Sequence, residues 1–214
     1  MDLQNYKKKL FQINSEDEFN ALSLEAFRYQ YLNIEVYRQF VDSININPNQ
    51  IKHYNKIPFL PISFFKTHKL APEKYQAVFK SSGTTAMERS QHFISDLKLY
   101  EASFMQAFTN FYGKIEDYCV LALLPSYIEN GDSSLVYMVD YLIKASKQKS
   151  SGFYLNNIAE LAEKLKHLDA SGQKVLLLGV SYALLDLLDE YQFQLKNTTI
   201  METGGMKGRR KEMI

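Results

Sequence analysis

The sequence predicts an α/β fold, a layered sheet flanked by helices and preceded by a short helical region. Short apolar runs alternate with helical stretches of about ten residues or more, a pattern typical of βαβ units. The chain has 214 residues, of which 46% are hydrophobic and 14% aromatic, enough for one sizeable core. Two prolines in IPFLPISFF, residues 57–65, separate the first helices from the alternating region.

The N-terminal region is predicted to be helical up to residue 56. Ser15 and Glu18 have capping-box spacing at the start of a helix that runs to Tyr29, and a second helix is expected from Ile34 to Val41. Residues 57–65 are expected to form an extended, packed connection, because proline fixes φ and removes a backbone donor. We therefore place a domain boundary between residues 56 and 57.

The alternating strands and helices are predicted from the apolar runs and from the residues that begin or end them. Ser95 is the expected N-cap of the first long helix of this region, and Pro125 ends a buried strand. Strands are predicted at 77–80, 118–124, 152–155, 174–178 and 199–202, and helices at 96–112, 134–145, 158–168 and 182–191.

Composition and charge exclude several classes of function. A net charge of +1 indicates neither a nucleic acid nor an anionic membrane surface as a partner. No stretch has the ~18 apolar residues of a membrane span, and no apolar region follows the N-terminal lysines, so we expect a cytoplasmic protein. The single cysteine, Cys119, excludes an internal disulfide and a cysteine-based metal site. No metal is assigned to the histidines, which lack partners at metal-ligand spacing.

A run of small hydroxyl residues stands out in FKSSGTTAMERSQHF, residues 79–93. Such a loop directly after a strand of an α/β sheet is expected at the carboxyl edge of that sheet, where ligands bind. Its hydroxyls and backbone N–H groups would bind phosphate oxygens, although an ordinary turn explains the composition equally well. It is not a Walker-type loop, which needs a second glycine followed by lysine.

The loop and its surroundings resemble the acyl-protein synthetase (LuxE-type) branch of the adenylate-forming superfamily, close to the phenylacetate-CoA ligases. The signature SSGTTG is matched by SSGTT at residues 81–85. The stretches IPFLPISFFKTHKL, SQHF, LLPSYIENGDSSLVYMV and METGGMKGRRKE support the likeness, which runs from about residue 57 to the end of the sequence.

The resemblance implies ATP-dependent activation of a carboxylic acid, typically a fatty acid, as an acyl-adenylate, with transfer to a protein thiol or another acceptor. ATP, with magnesium, is the implied cofactor, and residues 57–214 would be a partial nucleotide- and acyl-binding domain. The implied phosphate- and nucleotide-binding residues are Ser81, Ser82, Gly83, Thr84, Thr85, Arg89, Gly204 and Gly205. The implied acyl-substrate residues are Gly179, Val180, Ser181, Tyr182 and His92.

Several departures from the family pattern lead to further expectations. Ala86 replaces the usual glycine, the following proline and lysine are absent, and Arg89 is the candidate replacement cation. The downstream turn that binds Mg²⁺ and AMP, the ribose aspartate and the C-terminal lysine do not occur before Ile214. We therefore expect a shortened form, inactive alone, whose uncovered apolar sheet surface favours a homo-oligomer.

A second function is open, a non-catalytic α/β domain that binds nucleotide or serves as a scaffold. Individual residues also have alternatives: His92 as a packing or surface residue, Cys119 as a buried structural thiol rather than an acyl acceptor, and the Gly204–Gly205 pair as a strand-end turn. An acyltransferase that uses a preformed thioester is disfavoured, because no Ser/His/Asp or Cys/His constellation has a readable spacing.

Overall fold

The computed structural model describes residues 3–71, 73–81, 89–124, 131–154 and 157–204. The chain divides into two compact units, Met1–Gln106 and Ala107–Ile214. The predicted α/β class is confirmed, since helices accompany a four-stranded parallel sheet and a two-stranded antiparallel sheet. The domain boundary at residue 57 stays a prediction.

The first unit opens with helices, and Ser15 caps the longest of them as predicted. Its hydroxyl accepts a hydrogen bond from the Glu18 amide at 3.2 Å, while the Glu18 carboxylate accepts one from the Asn14 amide at 2.8 Å. The helices are α1 (Leu3–Leu10), α2 (Glu16–Asn33), α3 (Glu35–Ser43) and α4 (Phe64–Thr67), with 3₁₀ turns at Pro48–Gln50 and Tyr54–Lys56.

Helix α4 corrects the end of the extended chain predicted over residues 57–65, because Phe64 and Phe65 are helical while residues 57–60 are not. The two prolines restrict only the residues at and before them, and the Pro61 carbonyl accepts a hydrogen bond from the Phe64 amide at 3.0 Å. Helix α1 lies within the predicted helical region but was not predicted as a separate helix, and none of its residues is buried.

Strands β1 (Ala77–Lys80) and β2 (Gln91–Ile94) form an antiparallel pair in which Phe79 lies opposite His92. The hydroxyl-rich loop therefore connects two antiparallel strands, and the expectation that it follows a strand of the parallel sheet was wrong. Strand β2 was not predicted, because its sequence QHFI is short and half polar. Only its pairing with β1 identifies it as a strand.

Helix α5 (Leu97–Tyr112) follows β2 and begins one residue later than predicted. Its N-terminal amide is capped by Asp96, whose Oδ1 accepts a hydrogen bond from the Leu99 amide at 3.1 Å, so the assignment of the cap to Ser95 was wrong. Asp96 also pairs with Lys7 of α1. The hydrogen bond from Lys7, assisted by those from the backbone, lowers the pKa of Asp96.

The second unit contains the parallel sheet, whose strand order is β4-β3-β5-β6. The strands and the three α-helices given below were predicted within a few residues of their observed bounds, whereas the 3₁₀ turn at Ile115–Asp117 was not predicted. The strands are β3 (Tyr118–Leu123), β4 (Gly152–Tyr154), β5 (Lys174–Val180) and β6 (Thr198–Thr203), and the helices are α6 (Ser134–Ser146), α7 (Ile158–Ala170) and α8 (Ser181–Glu190). The predicted end of β4 at residue 155 lies outside the described residues.

The core of this unit is built on the two central strands. All six residues of β3 are buried, as are six of the seven residues of β5. Leu161 and Leu165 of α7 and Leu187 of α8 pack into the same cluster. A continuous apolar run is typical of a strand buried on both faces, which is why these strands could be predicted from sequence. None of the described helices is long and apolar enough to cross a lipid bilayer.

Asp169 fixes the segment that leads into β6. Its carboxylate accepts hydrogen bonds from the amides of Lys196 and Asn197, both at 2.9 Å or less, and from the Thr198 hydroxyl at 2.7 Å. Burial acts to raise the pKa of Asp169, but the hydrogen bonds from Lys196, Thr198 and Asn197 outweigh it and leave the pKa below its ordinary value. The ionised side chain is therefore a structural anchor.

We expect Asp169→Ala to lower the free energy of unfolding by about 3 kcal/mol, because buried donors lose a charged acceptor. The lowered pKa sets the direction of the pH dependence. This stabilisation is present above the ordinary pKa of 3.8 and disappears as pH falls through the lower folded-state value. Urea unfolding of wild type and variant at pH 7 and at lower pH measures the difference.

Glu163→Ala, on the exposed face of the same helix, is the matched control and should change stability by less than about 0.5 kcal/mol. A loss in Asp169→Ala that stays constant down to the lowest pH would contradict the anchoring role of the carboxylate.

Candidate functional site

The base of the hydroxyl-rich loop is closed by two serines. The Ser81 amide donates a hydrogen bond to the Ser90 carbonyl at 3.0 Å, and the Ser90 amide donates one to the Ser81 hydroxyl oxygen, also at 3.0 Å. This reciprocal pair extends the β1-β2 ladder by one position beyond Lys80 and Gln91. Ser81 and Ser90, which flank residues 82–88 on the described sides, are thereby joined to each other.

Arg89 reinforces this closure. Its Nε donates a hydrogen bond to the Ser81 carbonyl at 2.5 Å, and its guanidinium also donates to the Lys80 carbonyl at 3.4 Å. The predicted phosphate-binding roles of Ser81 and Arg89 stay predictions, but both side chains hold the loop base in the structure. Four further predicted phosphate-binding residues, Ser82, Gly83, Thr84 and Thr85, lie outside the described residues.

His92 lies on β2, two residues beyond Ser90. Its ring stacks on Phe65 with a centroid separation of 4.8 Å and an interplanar angle of 21°. This contact uses the face of the imidazole and leaves the ring edge, which carries both nitrogens, for a polar partner. The packing alternative and the substrate-contacting role are therefore compatible for His92.

The other predicted residues lie at the carboxyl ends of β5 and β6 in the second unit. The strands pair with Gly179 opposite Glu202 and Val180 opposite Thr203. The Ser181 hydroxyl, at the start of α8, donates a hydrogen bond to the Gly204 carbonyl at 3.3 Å. Ser181, predicted to contact the acyl substrate, and Gly204, predicted to contact the nucleotide, are thus neighbours.

Two glycines at this edge have conformational or steric reasons to be glycine. Gly204 has φ of 78°, in the left-handed region, where it ends β6. At Gly179 a Cβ atom would lie 2.7 Å from the Cγ atom of Leu184, so α8 approaches the strand too closely for a side chain. Gly205 lies outside the described residues.

The four residues predicted to line an acyl channel are buried in the structure. Val180 and Tyr182 belong to the core cluster of the second unit, and Ser181 is 6% exposed. Gly179 is also buried. Their contact with substrate stays a prediction.

Cys119 is buried in the sheet, as its apolar sequence context indicated. It is 1% exposed, and the Ser151 hydroxyl lies 3.8 Å from its sulfur. Burial raises the pKa of the thiol, although Ser151 and Lys164 act in the opposite direction. A buried, protonated thiol is a poor nucleophile, so the structure favours the structural role for Cys119.

Metal-binding groups are not clustered in the described part of the chain. No group of three or more His, Cys, Asp or Glu residues there could hold a metal ion. His53 accepts a hydrogen bond from the Asn55 amide, and His68 stacks on Phe64, so both have local structural contacts.

Sequence reasoning missed two features of the first unit. Ser90 closes the loop, but a lone serine in MERSQ gives no signal until its strand partner is known. A large apolar cavity was also missed, because its walls come from segments far apart in sequence, including Phe27, Tyr37 and Phe93.

Comparison with protein families gives a match over nearly the whole chain. The family model described as "Acyl-protein synthetase, LuxE" matches residues 9–214. Comparison with the curated proteins gives no match, and neither does comparison with the solved structures.

Gly179→Ala should reduce the free energy of unfolding by about 1–3 kcal/mol, because the added methyl group overlaps Leu184. Leu184→Ala in the same chain should recover part of the loss, and urea unfolding of the four species in a double-mutant cycle measures the coupling. Additive losses would show that the close approach does not constrain this position.

The thiol of Cys119 should react with 5,5′-dithiobis(2-nitrobenzoate) roughly a hundredfold more slowly in the native protein than in urea, because reaction requires opening of the sheet. Stopped-flow absorbance follows the reaction, and Cys119→Ser is the blank. Rapid, complete labelling of the native chain would restore Cys119 as a candidate acyl acceptor.

Proposed function

Because the chain belongs to the LuxE acyl-protein synthetase family, we propose that it activates a carboxylic acid with ATP and passes the acyl group to a protein thiol. In the first step a carboxylate oxygen attacks the α-phosphorus of ATP, pyrophosphate leaves, and an acyl-adenylate forms. In the second step a thiolate attacks the acyl carbon, the bond to AMP breaks, and a thioester forms.

The first step brings two anions together, so fixed donors must stabilise the charge on the phosphate oxygens. The observation that carries the proposal is the closed base of the 82–88 loop, formed by Ser81, Ser90 and Arg89. A loop with fixed ends presents its hydroxyls and amides at lower entropic cost than a free segment. The proposed ligands are the β- and γ-phosphates, bound by Thr84, Thr85 and their neighbours.

The proposed substrate is a fatty acid and the proposed acceptor is a thiol on another protein. Burial of Cys119, which also raises its pKa, argues against this role for the thiol of this chain. Magnesium would arrive with ATP and neutralise the phosphate charge that the loop donors leave uncompensated.

A non-catalytic nucleotide-binding domain is the second candidate. The observation that favours it is the engagement of Arg89, whose guanidinium donates to the carbonyls of Ser81 and Lys80. A cation held by the loop base is poorly placed to follow the charge that develops on departing pyrophosphate. On this interpretation the chain binds nucleotide without activating an acid.

Exchange of radiolabelled pyrophosphate into ATP separates the two candidates, because it requires reversible formation of the acyl-adenylate. Fatty-acid-dependent exchange would support activation. Binding of ATP in calorimetry without exchange would favour the non-catalytic domain, and absence of both would overturn the proposal.

The double variant Thr84→Val, Thr85→Val should weaken binding of Mg-ATP and of pyrophosphate. Each lost hydrogen bond to a charged ligand costs on the order of 1.5–3 kcal/mol, which is roughly tenfold or more in affinity. Titration calorimetry measures the change. Thr199→Val on β6 is the matched control and should leave binding intact. Equal affinity in wild type and double variant would make the loop an ordinary turn.

A further inference from the structure

The first unit contains an apolar cavity of about 590 Å³. Aromatic and aliphatic side chains from helices α2 and α3, from the 57–65 segment and from β2 line it. The residues that define it are Phe27, Tyr37, Ile57, Phe65, Leu70 and Phe93. Its volume lies within the range of small-ligand pockets, about 300–1,000 Å³.

The polar groups of this cavity are uncharged side chains and one histidine, contributed by Ser23, Tyr29, Gln30, Tyr37, Tyr54, His92 and Ser95. Among the described lining residues there is no Asp, Glu, Lys or Arg. The Tyr37 hydroxyl donates a hydrogen bond to the Pro58 carbonyl at 2.7 Å, and burial raises the pKa of Tyr37 to about 12. This phenol therefore stays neutral and already has a partner. Apart from a group that His92 could bind, the part of a ligand that enters the cavity is expected to be uncharged and mainly apolar, because most of the described lining residues are apolar.

Exposed apolar side chains mark the entrance. Phe59 lines the cavity but is 80% exposed, and Phe19 is 45% exposed. Large exposed aromatic groups beside an apolar cavity are typical of a ligand site.

His92 connects the cavity to the hydroxyl-rich loop. It lines the cavity beside Phe65, and it follows Ser90, at the loop base, by two residues. Two strand residues span ~7 Å. The nitrogens of its stacked ring are not hydrogen-bonded to any of the described residues. A carboxylate beside His92 would thus lie near the loop base.

We propose that this cavity binds the hydrocarbon tail of an aliphatic carboxylic acid, with the carboxylate at His92. The inference rests on the proposed function, which supplies a carboxylic acid as substrate. The size of the cavity favours a long chain over a single aromatic ring, because benzene fills a cavity of about 150 Å³. Phe27, Tyr37 and Phe65 then determine chain-length preference, a role that sequence did not assign to them.

Filling the cavity from one wall tests the proposal. Ala26 of α2 lines the cavity, whereas Ala21 of the same helix is exposed and does not. We expect Ala26→Trp to weaken binding of hexadecanoate by roughly tenfold or more while octanoate is less affected, because the indole occupies space that the longer tail needs. Ala21→Trp, the matched control, should bind like wild type. Calorimetry without ATP measures both acids.

A separate variant, at His92, tests the proposed position of the carboxylate. His92→Phe keeps a ring against Phe65 but removes the nitrogens, so it should weaken hexadecanoate roughly tenfold and leave hexadecan-1-ol unchanged. Circular dichroism checks the fold of each variant, and Ser23→Leu replaces Ala26→Trp if that chain does not fold.

Failure of the cavity and failure of the proposed function give different results. Wild-type chain that binds no hexadecanoate, or Ala26→Trp (or Ser23→Leu in its place) that binds it as wild type does, would overturn the cavity assignment whatever the ATP result. Weaker binding of hexadecanoate by both Ala26→Trp and Ala21→Trp would also overturn the cavity assignment. Tail-dependent binding in a chain that binds no ATP would support the cavity and refute only the activation step.

Discussion

Pairing between β3 and β5 is the constraint on which the second unit depends. The residues of both strands are buried almost without exception, so their backbone amides and carbonyls have no access to water and must be satisfied by neighbouring strands. The register of β5 against β6 then places Gly179 opposite Glu202. That register brings the Ser181 hydroxyl within hydrogen-bonding distance of the Gly204 carbonyl. The positions of the residues at the carboxyl edge of the sheet are therefore set by the packing of the buried strands.

The parts of the fold that could be predicted are those in which local sequence and tertiary environment agree. YCVLALL, and KVLLL after its exposed Lys174, are apolar because both faces of β3 and β5 are covered. QHFI is a strand only through its pairing with β1, so its own sequence carries little information. The cap of α5 shows the same limit. Ser95 and Asp96 are both good caps, and Asp96 is the one that pairs with Lys7, 89 residues away.

The features of the candidate site also divide into those that local sequence predicts and those that depend on tertiary structure. The composition of residues 81–85 could be recognised from sequence, but the closure of the loop by Ser90 and Arg89 depends on the strand register. Burial of Val180 and Tyr182 follows from the packing of α8, which a strand-to-helix pattern does not specify. The cavity could not be predicted, because Tyr37 and Phe93 become neighbours of one space only after four segments fold together.

A fatty acid has two parts with opposite requirements, and β2 connects two environments that differ in the same way. At one end of this strand lies the base of the hydroxyl-rich loop, whose hydrogen-bond donors are proposed to stabilise the phosphate charge. Along the strand, His92 and Phe93 line the apolar cavity, where a charge away from His92 would be costly. Under the two proposals, β2, a four-residue strand of ~13 Å, sets the distance between the base of the phosphate-binding loop and the cavity that holds the tail. Chain-length preference can then change through residues of α2 and α3 without altering the loop that binds phosphate.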